Sequence, residues 1–244
     1  MFDKSSGTLQ REGVAAELNP YDRVALEVGL QCIERYGGSV TAVCMGPDSA
    51  EAALREALAM GANAACLLRS AAFAGADVLA TAYTLSAYFS TGPDFDLILC
   101  GKHSVDGDTG QTGAALAEHL GIPHAAAVSE ILRIADGRIT VRQRLDGALQ
   151  TVRLEMPCLL VTEQDICYPR LPTLAGTLRA KGQLIPIETE ESIAHIDLRR
   201  CGLKGSATRV KHISTPETPR HGRMLAPAEY DCLLPLLLGQ EDGV

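Results

Sequence analysis

Apolar positions recur along the chain in two rhythms, and the change between them divides it. Up to about Gly121, short apolar runs alternate with stretches in which apolar residues return every three or four positions. Asn19-Pro20-Tyr21-Asp22 opens the first such stretch. Asn19 suits a helix cap, Pro20 the first helical position and Asp22 the first turn; Leu26, Leu30 and Ile33 then share a face, and Gly37-Gly38 ends the helix near Tyr36. Val40 to Cys44 reads as a short strand whose end, Met45-Gly46-Pro47, leads into a helix from Asp48, with Glu51 in capping-box position and Gly61 closing it. Ala65 to Leu68 gives another strand, Asp77 to Ser90 another helix, and Leu97-Ile98-Leu99-Cys100-Gly101 a further strand before the helical run Ala114 to Leu120. Such alternation predicts an α/β fold, a Rossmann-like doubly wound and mostly parallel sheet.

After Pro123 the rhythm shifts to period two. Ala127 to Ile134, Arg138 to Leu145 and Leu149 to Met156 are separated by Asp136-Gly137 and Asp146-Gly147, so an antiparallel β-hairpin addition is expected over about 127–156. Leu159 to Thr162 is a last apolar strand, and Pro169 and Pro172 predict an exposed loop over about 166–181. Residues 1–187 therefore read as one α/β domain whose first 18 residues form an irregular arm or a hairpin. Residues 188–244 read as an extended C-terminal arm with solvated basic residues. A short helix over 227–238 ends that arm, and its run Leu233 to Leu238 needs cover that a partner subunit could supply.

Composition narrows the function. With 244 residues, 46% of them hydrophobic, the chain can bury a substantial core; a net charge of −8 argues against nucleic acid or an anionic membrane as the main partner. No apolar run approaches the roughly 20 residues of a membrane span and the first residues lack signal-peptide character, so a cytoplasmic protein is expected. The eight cysteines include no C-x-x-C pair, and the six histidines share no ligand spacing with them, so reduced core thiols and no metal are expected.

The stretch Asp106-Gly107-Asp108-Thr109-Gly110-Gln111-Thr112-Gly113 carries the candidate chemistry. It lies between a strand and a helix; its glycines remove Cβ atoms that would hold a phosphate away, and the helix start offers free N–H groups. Thr109 and Thr112 add hydroxyl donors. Asp106 and Asp108 would repel a phosphate unless they turn away to cap the helix or hold ribose hydroxyls, which favours a nucleotide over free phosphate. The same residues also make an ordinary capped turn, and both readings stand at this level. A Walker A loop is excluded, because Asp96 occupies the place of the glycine needed five residues before Gly101, and no G-x-G-x-x-G follows an early strand.

Several separated stretches together resemble one family. Asn19-Pro20-Tyr21-Asp22, Ala57-Leu58-Ala59-Met60-Gly61-Ala62, Gly101-Lys102 with Asp106 to Gly113, Glu155-Met156-Pro157 and Pro169-Arg170-Leu171-Pro172-Thr173-Leu174 occur in the order found in the β subunit of electron transfer flavoprotein. The resemblance covers about residues 7–187. It implies a heterodimer with an α subunit that takes electrons from acyl-CoA or other flavin dehydrogenases. It carries nucleotide contacts onto Asn19, Pro20, Tyr21, Asp22, Met45, Asp106, Gly107, Asp108, Thr109, Gly110, Gln111, Thr112, Gly113, Ala114 and Ala117. Arg170 and Leu174 would meet the dehydrogenase, and no catalytic side chain is implied.

Gly107 and Gly110 make the turn similar to that of the bifurcating and nitrogen-fixation-associated members. In those members the β subunit holds FAD, NADH supplies hydride, and ferredoxin or flavodoxin accepts low-potential electrons. The alternatives are a structural β subunit binding AMP and a stand-alone adenine-nucleotide domain. Family members usually begin with an apolar strand and a Lys-Gln-Val-Pro-like loop that are missing here. A truncated or misplaced start is expected, with neighbouring strands left unpaired.

Overall fold

A computed structural model of the chain describes residues 2–3, 8–9, 16–92, 94–210 and 226–227. Residues 1–211 make one compact unit; the helix expected over 227–238 and its leucine run lie outside the described residues. Two two-residue strands, β1 (Phe2–Asp3) and β2 (Thr8–Leu9), pair antiparallel, which is the hairpin alternative for the first residues. The predicted alternation follows as α1 (Pro20–Tyr36), β3 (Thr41–Met45), α2 (Glu51–Met60), β4 (Ala64–Leu68), α3 (Val78–Thr91), β5 (Leu97–Gly101) and α4 (Thr112–Leu120). Then come β6 (His124–Ala135), β7 (Arg138–Leu145) and β8 (Ala148–Glu155), antiparallel as predicted, and β9 (Cys158–Thr162), α5 (Leu174–Gly182), β10 (Ile187–Glu188) and α6 (Gly202–Gly205).

The parallel strands form two sheets. One has the order β10-β4-β3 and the other β5-β9-β6-β7-β8. β4 and β9 each lie between two other strands, and each is a largely apolar run because both of its faces are covered. Ala65 and Leu67 enter the core shared with α2, whereas Cys66 and Leu68 enter the one behind Tyr88. Likewise Leu159 and Val161 pack against α4, while Cys158 and Leu160 join the core beneath the hairpins.

β3 pairs only with β4 and β5 only with β9, so among the described residues each keeps an unpaired edge. Helix α1 spans the two sheets. At its Gly29 a Cβ would sit 3.2 Å from Leu99 of β5 and 3.4 Å from Val40, just before β3. No helix among the described residues is long and apolar enough to cross a membrane.

Four expectations need correction. Asn19 stands at the helix cap, but its side chain makes no cap bond. The capping box at Asp48 and Glu51 is not formed either: Asp48 pairs with Arg69 and Glu51 with Arg55, because nearby guanidinium groups compete for both carboxylates. The segment expected as a loop to about residue 181 becomes helical from Leu174, started by the Thr173 hydroxyl accepting from the Gly176 amide. Finally, the arm is not extended over its described part, 188–210. β10 adds parallel to β4, Arg200 lies 3.9 Å over the Tyr83 ring, and the Asp77 carboxylate accepts from the amide and hydroxyl of Thr208.

One buried charge holds the loop after β9 to α1. The Glu27 carboxylate, only 5% exposed, accepts from the Arg170 backbone amide at 3.1 Å and from its guanidinium at 2.7 and 2.9 Å; Arg170 also reaches Glu34 at 2.6 Å. Burial pushes the Glu27 carboxyl up, but the donors of Arg170 and Gln31 outweigh it and hold it below the ordinary 4.5. The stabilisation is therefore complete above that value and lost as pH falls through the lower folded one. Glu27→Gln should cost about 1–3 kcal/mol at neutral pH, since Arg170 is part-exposed and part of the charge is screened. Urea unfolding should show the variant's deficit shrinking as pH falls below the ordinary carboxylate value and through the lower folded one, where the wild-type carboxylate becomes protonated too.

Candidate functional site

The carboxyl end of β5, the first turn of α1 and the bend before α4 converge, and glycine makes the convergence possible. A Cβ on Gly101 would overlap the Tyr21 carbonyl carbon and stand 2.6 Å from the Asp22 amide nitrogen, so the start of α1 rests directly on the end of β5. Gly113 plays the same part for α4, since its Cβ would sit 2.6 Å from Val161 of β9.

Polar side chains lock this junction. Asn19 donates to the Asp22 carboxylate at 2.8 Å and to the His103 carbonyl at 2.7 Å, and the Gly101 amide donates to Asp22 at 2.8 Å. Lys102 turns the other way, 2.9 Å from the buried Glu163 at the end of β9. Cys100, next to Asp22, is half-buried; burial, then the Asp22 carboxylate, push its thiol up to about 12, so it is not a nucleophile. Among the described residues no group of three metal-ligating side chains occurs.

The bend itself is exposed. The Ser104 carbonyl accepts from the amides of Gly107 and Asp108, at 3.3 and 2.7 Å, and Asp108 and Gly110 both take left-handed backbone angles, φ 48° and 64°. Beyond this turn the character changes. From Thr109 to Ala114 no backbone N–H meets an acceptor among the described residues, and Gln111 makes no side-chain cap. Successive amides left open ahead of a helix suit an anion, and the helix dipole adds to them. A Cβ on Gly107 would meet nothing within 4 Å, so there is room above the bend. Asp108 faces His103, 3.1 Å from its Nδ1. The residues therefore fit a phosphate group.

The structure thus brings together Asn19, Pro20, Tyr21 and Asp22 with Asp106 to Ala114. Ala117 is fully buried behind them, under Leu116 and Leu159. Met45 packs against the core around Cys66, Leu68 and Phe73 and takes no part in the bonds that join α1 to the bend. Sequence reading missed His103, whose ring meets the edge of Tyr21 at 5.5 Å between centroids and whose Nδ1 is buried without an aligned hydrogen bond. Its one sequence signal is its position directly after Gly101-Lys102.

At the other candidate surface, Arg170 is committed to α1, while Tyr168, Leu171 and Leu174 stand exposed, Leu174 at 78%. Exposed apolar side chains close together in sequence, on a loop pinned by an ion pair, suit partner contact.

Comparison with known proteins identifies the family. The family model of the electron transfer flavoprotein domain matches residues 6–190. The chain is 40% identical over 224 residues to the electron transfer flavoprotein subunit beta of Thermoanaerobacterium thermosaccharolyticum, covering 91% of this chain and 85% of that one. It is 37% identical over 217 residues to the protein FixA of Bradyrhizobium diazoefficiens, 86% of this chain and 75% of FixA. A third relative, the caffeyl-CoA reductase-Etf complex subunit CarD of Acetobacterium woodii, is 37% identical over 225 residues, 92% of this chain and 85% of CarD.

The glycine junction can be checked directly. Gly101→Ala should lose about 1–3 kcal/mol, because the backbone of Tyr21 and Asp22 must move to admit a methyl group. Gly107→Ala, with open space around it, should stay within about 0.5 kcal/mol. Urea titrations of both variants separate the two outcomes.

Proposed function

The chain belongs to the electron transfer flavoprotein family, among its β-subunit and FixA-type members, and on that footing we propose that it holds FAD at the bend before α4 and works as the β subunit of a heterodimeric electron carrier. The run of open amides from Thr109 to Ala114 carries this reading. Those donors, with the dipole of α4 behind them, would take the pyrophosphate. The junction of Asn19 and Asp22 with Gly101 would hold the adenosine side of the site rigid, at the carboxyl end of β5 where such folds bind ligands. When bound, FAD supplies the redox chemistry, and the protein contributes position and electrostatics. The space above Gly107 favours the larger cofactor over AMP.

Electrons would arrive from NADH or a flavin dehydrogenase and leave to downstream acceptors, by bifurcation if two flavins are present. The likeness to FixA and to CarD, a subunit named for a caffeyl-CoA reductase–Etf complex, supports that direction. An electron transfer flavoprotein α subunit is the first partner expected, and the surface of Tyr168, Leu171 and Leu174 would receive an acyl-CoA or other flavin dehydrogenase.

Co-purification with the α subunit followed by denaturation tests the cofactor. Two FAD per heterodimer are expected; one FAD with one AMP would replace the proposal by a structural nucleotide site, and release of no nucleotide from this chain would end it. Leu174→Glu should slow electron transfer with the dehydrogenase at least about tenfold while cofactor content stays unchanged, measured by stopped-flow absorbance.

A further inference from the structure

A cleft of about 350 Å³ opens between α3, the last turn of α4 and the arm after β10, at the opposite end of α4 from the bend. Arg200 and His195 line it from the arm, His119 from α4, and Tyr83, Ser90 and Thr91 from α3, with no carboxylate in its walls. In a chain of net charge −8, such a wall of basic and hydroxyl groups stands apart.

Arg200 is held in place yet left without an acceptor among the described residues. Its guanidinium lies 3.9 Å over the Tyr83 ring. Asp197, the carboxylate nearest to it in sequence, is occupied by Arg199, whose guanidinium donates to it at 2.9, 3.0 and 3.3 Å. Tyr83 is pinned in turn: its hydroxyl accepts from the Asp197 amide at 2.9 Å, which leaves the phenol hydrogen to give, and its ring meets His119 edge-on at 5.9 Å. Burial, then the charge of Arg200, hold the His119 imidazole below the ordinary 6.5, so near neutral pH it offers an N–H and Arg200 supplies the charge.

Cations beside helix ends can serve merely to meet the last carbonyls. Here those carbonyls already have donors. The Thr91 hydroxyl bonds that of Ala87 at 3.0 Å and the Gly92 amide that of Tyr88 at 2.8 Å, while at the end of α4 the Gly121 and Ile122 amides bond those of Glu118 and Ala117, each at 3.1 Å.

We propose that this cleft is an anion site in its own right, taking the oxyanion of a small phosphorylated or carboxylated molecule. Arg200 supplies charge and a planar pair of donors, and His119, Ser90 and the Tyr83 hydroxyl supply neutral hydrogen bonds. A ligand there would touch both the arm and α3 and so fasten one to the other. The volume suits a small molecule. The site is separate from the bend and does not depend on the nucleotide reading.

The test uses the full chain as purified with its α subunit, in chloride at constant ionic strength. Inorganic phosphate and succinate are titrated separately and followed by isothermal calorimetry. At least one should bind saturably with a Kd on the order of 1 mM or below, and the tighter of the two names the ligand class. Arg200→Gln should weaken that binding at least about tenfold. Ser90→Glu, which leaves Arg200 on Tyr83 but sets a carboxylate in the cleft, should weaken it as much. Lys204→Gln, an equal loss of charge on the same arm outside the cleft walls, should change it less than about twofold. Thermal unfolding checks that each variant keeps the fold.

Absence of saturable binding by both probes would overturn the inference, as would binding that Arg200→Gln or Ser90→Glu leaves unchanged. Equal weakening by Lys204→Gln would show a diffuse charge effect and overturn it too. The nucleotide reading is decided separately, by what the denatured heterodimer releases.

Discussion

The seating of the first turn of α1 on Gly101 is the constraint from which the site follows. A strand end and a helix start can touch backbone to backbone only where no Cβ intervenes, and Gly101 is that place. Once they touch, Asn19 and Asp22 come within reach of the segment after β5 and hold it through the His103 carbonyl and the Gly101 amide. The bend then leaves from a fixed point, and its later amides stay open because the earlier ones are consumed locally by Ser104. Gly113, pressed against Val161, fixes the other end. An exposed bend gains its rigidity from such anchors.

Charge around this site is arranged in separate compartments. Asp22 is spent on Asn19 and the Gly101 amide, and Lys102 on Glu163, so neither presents a free charge to the bend. Asp108 and His103 face each other at the opening. The loop after β9 follows a similar logic. Arg170 turns inward to a buried Glu27, and this leaves an apolar face of Tyr168, Leu171 and Leu174 with a fixed backbone beneath it.

Much of this was legible in the chain itself. The unbroken apolar runs Ala65 to Leu68 and Leu159 to Thr162 announced strands covered on both faces, and the Asp-Gly pairs at 136 and 146 announced the hairpins; side-chain periodicity and turn chemistry are local properties. Order and spacing of five motifs sufficed to indicate the family, and the glycine-studded bend was visible as a strand-to-helix turn.

What only the tertiary structure decided was which partner each polar side chain chose. Asn19 and Asp48 both have the sequence marks of helix caps, yet each is taken by another polar group brought near by folding: the His103 carbonyl 84 residues away and Arg69. The division of the parallel strands into two sheets bridged by α1, the inward turn of Arg170 onto Glu27, and the meeting of His103 with Asp108 depend likewise on juxtapositions that no local pattern encodes. Hydrogen-bond and ion-pair partners are settled by competition among all the groups in reach, and that reach exists only once the chain has folded.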